Sequence, residues 1–304
     1  MVTPVVDDHI FLLGRPPIQE FAYFIRTMAR DGHLIDQAAL MQEWRAANAR
    51  IQGLEQDEAG YADHPPIAPL PPALQPFAAR VLAEPAFQKS FCYVPCDFGM
   101  VELDRLVVWQ KSINLGFVST LTQSLPQPPA PEDLARLAFG LDRPVAPYSF
   151  QQSGANTFSF ISPSADWRPL DNAILDPRQV ADFPCTGRPM AFVTLGIGFG
   201  TNYFNAISVG DRLILNNGSH RAYALRALGV THAPCLIQHV AQLDELQAVA
   251  GAEVLAKADL YLDSPRPPVL KDHFDAKLHK LVPVPRKNRL VQVQISISQS
   301  DVPA

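Results

Sequence analysis

Proline sets the grain of this chain. Twenty-nine of the 304 residues are proline, nearly twice the ordinary share of about 5%. They cluster, first as Pro65, Pro66, Pro69, Pro71, Pro72 and Pro76, then as Pro126, Pro128, Pro129 and Pro131. Proline has no backbone N–H and clashes with the preceding helical turn, so these clusters end helices and begin extended connectors. They show no collagen-like period. The chain around them is 47% apolar and only 18% charged, which excludes a wholly disordered polymer and predicts a large buried core. At roughly 150 residues per domain, the length suits two domains or one with decorations.

Between the proline clusters the apolar residues follow two rhythms. Ile18, Phe21, Ala22, Ile25 and Met28 have helical spacing, as do Leu40, Trp44, Ala47, Ile51 and Leu54, with Asp36 placed to cap the second helix. A short helix is expected over Ala73–Ala83, and the first ninety residues read as helical. From Val101 the texture changes. Val101–Gln110 reads as a buried strand, Ile113–Leu125 as helical, and Glu132–Phe139 as a helix with acids in its first turn and Gly140 at its end. Phe158–Ser162 reads as a strand, and Asp176-Pro177 opens a brief helix. The uncharged run Pro189–Gly210 reads as core strands and turns, with no membrane span. Gly210-Asp211 between two apolar runs predicts a type II′ hairpin. A helix Ser219–Leu228 closed by Gly229 and a strand Pro234–Val240 follow. Val291, Val293, Ile295 and Ile297 alternate with polar residues, as in a half-buried antiparallel strand. Strands and helices mix without a βαβ rhythm, so the expected class is α+β. The expected organisation is a helical region (1–96), a mixed-sheet core (97–245) and a C-terminal extension (246–304).

The net charge is −5, and residues 1–96, 97–240 and 241–304 carry 7, 10 and 8 basic against 11, 11 and 8 acidic side chains. None has the positive excess that counterion release from DNA favours, so nucleic-acid binding is not expected. The local exception, Lys277, Lys280, Arg286, Lys287 and Arg289, reads as a solvated edge. Four cysteines form neither a disulfide framework nor a paired zinc motif. His9, His33, His64, His232 and His239 have no ligand spacing, and no metal site is indicated. The first residues lack the pattern of a signal peptide, so a cytoplasmic location with reduced thiols is expected.

The strongest chemical signal is Asn216-Asn217-Gly218-Ser219-His220-Arg221, between a strand and a helix start. The first helical N–H groups have no intrahelical partner and carry the positive end of the helix dipole. Gly218 allows close backbone approach, Ser219 can cap, and His220 and Arg221 add donors. The set suits a phosphate or carboxylate, and an ordinary capped helix is the bland alternative.

The block Leu213–Gly229, followed by Ala233-Pro234-Cys235-Leu236-Ile237, resembles the ParB/sulfiredoxin-like superfamily: a hairpin, a G-x-H-R turn, a helix ending in Gly, and a strand after a Pro. Val101–Gln110 is similar to the strand that opens such domains. The matched positions are Gly218, His220, Arg221, Ala224 and Gly229, and more loosely Leu103, Leu106 and Gln110, so the resemblance covers about 101–240. It implies a mixed-sheet core with Gly218, His220 and Arg221 toward a ligand phosphate. Members differ in activity: ParB proteins bind CTP there and DNA elsewhere, sulfiredoxins bind ATP and repair a sulfinic acid, and a free-serine kinase branch phosphorylates a small molecule. The sulfiredoxin nucleophile position here is Ser219, and no helix-turn-helix pattern follows residue 240. The interval from Gln110 to Gly218 exceeds a minimal domain and leaves room for a private substrate pocket.

The resulting expectation is a small-molecule enzyme. His220 and Arg221 clamp an anionic group, and Asn217, Gly218 and Ser219 complete the cradle. Glu102, two residues from Asp104 on one strand face, is the candidate general base beside His220, with Arg105, Lys111 and Arg168 as charge partners. A nucleotide ligand implies phosphoryl transfer with Mg²⁺. A carboxylate ligand implies a cofactor-free condensing or cyclising catalyst of the Pictet–Spengler kind. A nucleotide-sensing or DNA-associated adaptor is the non-enzymatic alternative. The segment Ser162–Arg168 reads as a polar turn, and Arg266–His273 as a lid, a dimer arm or a proline connector. The Val291–Ile297 strand and the Leu40–Leu54 stripe suggest a homodimer.

Overall fold

The computed structural model describes residues 5–34 and 36–303. The chain opens on strand β1 (Val6–Leu12), followed by helices α1 (Ile18–Met28) and α2 (Gln37–Asp57). Asp36 caps α2 as expected, accepting the Ala38 N–H at 2.8 Å. After the first proline cluster come β2 (Ile67–Pro69), α3 (Gln75–Ala83) and α4 (Pro85–Ser90). Pro85 does not only stop α3: it starts α4 at the first-turn position, where its missing N–H costs nothing. Next are β3 (Cys96–Glu102), β4 (Val107–Val108), β5 (Ser112–Asn114), α5 (Leu115–Gln123) and α6 (Pro131–Phe139), the last closed by Gly140 at φ +63°. Four strands follow, β6 (Ser149–Gln152), β7 (Thr157–Ser162), β8 (Trp167–Leu175) and β9 (Phe192–Phe199). The remainder is β10 (Asn205–Val209), β11 (Arg212–Asn217), α7 (Ser219–Ala227), β12 (His232–Val240), α8 (Leu243–Val249), α9 (Ala252–Ala256), β13 (His279–Pro285) and β14 (Arg289–Gln294). The class is α+β. Among the described residues no helix is long and apolar enough to cross a membrane.

Two compact units result, divided differently from the three expected regions. The first is the chain up to Arg143 together with Asn202–Arg286; the second is Pro144–Thr201 with the chain from Lys287 onward. The helical reading of the first ninety residues misses β1, which pairs antiparallel with β13 and with β5. The N-terminal region is therefore no separate domain. Arg286 grips the Asp7 carboxylate through Nε at 2.7 Å and Nη2 at 2.8 Å, beside that β1–β13 pairing.

The first unit's main sheet has the order β2-β3-β12-β10-β11-β4. β10 runs parallel to β12 and β11 parallel to β4, while the other pairs are antiparallel. Val101, Leu106, Phe139, Phe204 and Leu236 lie in the largest core cluster. The stripe Leu40, Ala47, Ile51 and Leu54 packs with Phe11, Phe21 and Ile25, and is covered within the chain. Full burial of such side chains contributes about 1.5–3 kcal/mol each, so this stripe needs no second subunit.

Two strand expectations change. Val101–Gln110 is not one strand. β3 ends at Glu102, a 3₁₀ turn spans Leu103–Arg105, and the chain resumes as β4 on the other side of the sheet. Leu103 and Leu106 are fully buried on either side of that turn, and Leu103 N–H donates to the Thr231 carbonyl. The C-terminal alternation forms β14 only to Gln294, and β14 pairs with β7 inside the second unit. In the second unit β14-β7-β6 make one sheet and β8-β9 a two-stranded ribbon. The uncharged run Pro189–Gly210 thus splits between a core strand, β10, and a half-buried one, β9.

Candidate functional site

The β10–β11 hairpin closes through Gly210-Asp211, with Gly210 at φ +54° and Val209 paired to Arg212. β11 then carries the chain to Gly218, at φ +109°, and directly into α7. Only glycine fits there. A Cβ would stand 2.5 Å from Phe204 Cδ2, and the backbone is in the left-handed region. Gly218 holds the N-cap position, and no side chain caps α7. Ser219 does not take the expected cap role; it is the buried first residue of the helix.

Arg221 is directed inward, not into the turn. It is 3% exposed. Nη1 donates to the carbonyls of Leu137 (3.2 Å), Ala138 (2.8 Å) and Asn202 (2.8 Å), and Nη2 to Asn202 Oδ1 (2.6 Å). Leu137 and Ala138 are in the last turn of α6, where a cation opposes the negative helix end. The guanidinium thereby ties α7 to α6. Asn217 reaches the same Asn202 Oδ1 through its amide at 3.3 Å.

His220 is held as a neutral acceptor. Its Nε2 takes the backbone N–H of Asn114 at 3.0 Å, and Phe117 packs edge-on at 5.4 Å. Burial, with smaller contributions from His9 and Arg221, lowers its pKa to about 4. At neutral pH it therefore adds no positive charge to the turn. An asparagine and glutamine network supports the strand ends: Asn205 Oδ1 accepts from Asn216 (3.1 Å) and Gln238 (3.1 Å). Asn114, Asn202, Asn205 and Gln238 escaped the sequence reading because no local motif marks them; they meet only through tertiary folding.

The other candidates lie elsewhere. β12 and β10 intervene between β3 and β11, so Glu102 does not sit beside the turn. Three strand spacings amount to roughly 14 Å. Asp104 is in the 3₁₀ turn, not on a strand face with Glu102, and it accepts from Arg226 Nε at 2.7 Å. Arg105 Nη1 stands 4.0 Å from Glu102, while its Nε and Nη2 donate to the carbonyls of Tyr61 (3.0 Å) and Asp63 (2.5 Å). Lys111 donates to Glu20 (2.5 Å) and Glu253 (2.6 Å), which Lys257 also bridges. Burial acts to raise the pKa of both carboxyls, but the hydrogen bonds from Lys111 and Lys257 outweigh it and hold both below the usual range. Arg168 belongs to the second unit and pairs there with Asp166, at 3.8 Å.

Arg266–His273 is no lid or arm. Arg266 is 2% exposed and forks onto Asp272 at 2.9 and 2.6 Å, and Pro267 through Leu270 are buried. Val108 N–H donates to the Pro268 carbonyl, and Leu270 N–H to the Leu106 carbonyl. Near it a cavity of about 20 Å³, lined by Leu12, Val108, Lys111, Tyr261 and Asp272 among others, has room for a single water and none for a nucleotide. Among the described residues no three His, Cys, Asp or Glu side chains are grouped to hold a metal ion.

No family model, no curated protein and no solved structure matches this chain.

Proposed function

We propose that this chain binds a small anionic ligand on a ParB/sulfiredoxin-like core, at the N-terminal end of α7, chiefly through main-chain N–H groups. The observation that supports this reading is a helix start without a side-chain cap, set at the end of β11 by Gly218 at φ +109°. Such a start leaves first-turn donors and the positive dipole end for an anion. Arg221 and His220 serve it by positioning. The guanidinium fixes α7 against α6, and the imidazole fixes the Asn114 backbone. Glu102 has no part in this reading, because two strands stand between β3 and β11. Binding is accordingly favoured over proton abstraction by Glu102. If the ligand is a nucleotide, phosphoryl transfer with Mg²⁺ is the reaction class to examine. If it is a carboxylate, a cofactor-free condensation is.

The test is a titration of the whole chain with CTP, with ATP, each with and without Mg²⁺, and with amino and keto acids, followed by calorimetry and amide chemical shifts. The expected result is saturable binding of one ligand class with the largest shifts at residues 218–221. Absence of binding by every class, or shifts centred elsewhere, refutes the assignment.

A further inference from the structure

The second unit carries an unguarded strand edge. β9 reads Phe192-Val-Thr-Leu-Gly-Ile-Gly-Phe199, with no charge and no proline. Among the described residues it pairs only with β8, leaving its other edge without a partner strand. Natural sheets protect such edges with lysine, proline, inward charge or a bulge. β8 has these devices: Arg168, Pro169, Asp171 and a register shift between Pro169 and Asn172. β9 has none. One face of the ribbon is also apolar and open. Ile174 pairs with Val193, and the two are 76% and 85% exposed, with Leu195 next on the same face. Among the described residues, thirteen of the 22 exposed large apolar side chains lie in the second unit, which is about a quarter of the chain.

The charge pattern selects the occupant. The second unit carries five acidic and five basic residues, so the whole net charge of −5 resides in the first. A neutral unit with an uncharged edge offers nothing to a polyanion or an anionic membrane, and presents no like-charge repulsion to a copy of itself.

We propose that β9 pairs with β9 of a second copy, antiparallel across a two-fold axis, joining two ribbons into a four-stranded sheet. Centred on Leu195, the pairing sets Leu195 opposite its counterpart and Val193 of one copy opposite Ile197 of the other. The exposed apolar stripes then become cross-strand neighbours. The guarded edge of β8 ends the sheet at four strands, so the assembly closes as a dimer and does not grow. This interface is independent of ligand binding at α7.

The experiment is sedimentation or light scattering of the full chain from about 1 to 100 μM, an interval in which a modest interface dissociates, with hydrogen exchange at both ends of the range. The expected mass rises from 33.4 kDa toward twice that value, and the amides of residues 192–199 gain protection with concentration. Val193→Lys with Leu195→Lys, both at exposed positions, holds the chain at 33.4 kDa, while Tyr23→Lys on the exposed surface of α1 leaves the dimer intact. A parent that stays monomeric throughout overturns the proposal. So does a dimer that survives the double lysine variant, or one that forms without protecting β9; the exchange result decides even if the variant misfolds.

Discussion

Arg221→Ala is the perturbation that best separates a positioning role from direct ligand contact. The side chain is 3% exposed and donates to three backbone carbonyls and to Asn202 Oδ1. Hydrogen bonds to a charged group contribute about 1.5–3 kcal/mol each, but such contacts are not additive. Ala138 keeps some satisfaction in the variant, because the Phe204 N–H also donates to its carbonyl at 2.6 Å. Leu137 and Asn202 lose their charged donor. Together with the space vacated, the cost should be about 3–5 kcal/mol, the range for breaking a buried charged network. At about 2–3 kcal/mol per molar urea, the midpoint of the first unit should fall by about 1–2.5 M. Because the chain has two units, one two-state curve is unsuitable. Hydrogen exchange of α7 and α6 peptides across a urea series isolates the relevant transition. Arg221→Lys should recover part of the loss, since an ammonium cannot fork to all four acceptors. If Arg221→Ala stays within about 1 kcal/mol of the parent while ligand affinity collapses, the guanidinium contacts ligand and the inward-tie argument fails.

Acid should weaken the first unit before its carboxylates titrate. His220 is depressed to about 4 and His273 to about 3, both chiefly by burial. Their unfolded forms bind protons first, so stability is complete above about pH 6.5 and declines as pH falls toward 4. His220 alone accounts for about 3 kcal/mol over that interval; a urea midpoint unchanged between pH 7 and 5 would count against it. Gly218→Ala should cost clearly more than Gly210→Ala, because the first clashes with Phe204 at 2.5 Å and the second meets open space at φ +54°; equal losses in a denaturation series refute the packing account. Asp272→Asn should destabilise by about 1–3 kcal/mol, because buried Arg266 loses one carboxylate and keeps the other, Glu58 at 3.0 Å; a near-neutral single variant would favour the lid, arm or connector reading of this segment.

The hairpin, α7 and β12 were legible in the sequence because each is marked locally. Gly210-Asp211 specifies a two-residue turn, Gly229 at φ +81° ends the helix, and an apolar run follows a proline. The cap of α2 by Asp36 and the closure of α6 by Gly140 were readable for the same reason. Strand neighbours were not. Nothing within Val6–Leu12 says that it pairs with His279–Pro285, because that register depends on a closure across most of the chain. Nor does Val101–Gln110 announce that it breaks at Glu102 and resumes two strands beyond β12 and β10, beside β11.

The site divides along the same line. Local sequence determined that a glycine-led helix start follows β11, since φ +109° at Gly218 and the amides after it are properties of neighbouring residues. The fate of the side chains was decided by tertiary structure. Arg221 points into the protein because α6 ends there with carbonyls to satisfy, and His220 is neutral because packing removes its water. Burial and hydrogen-bond partners come from elements distant in the chain, and spacing alone carries no record of them.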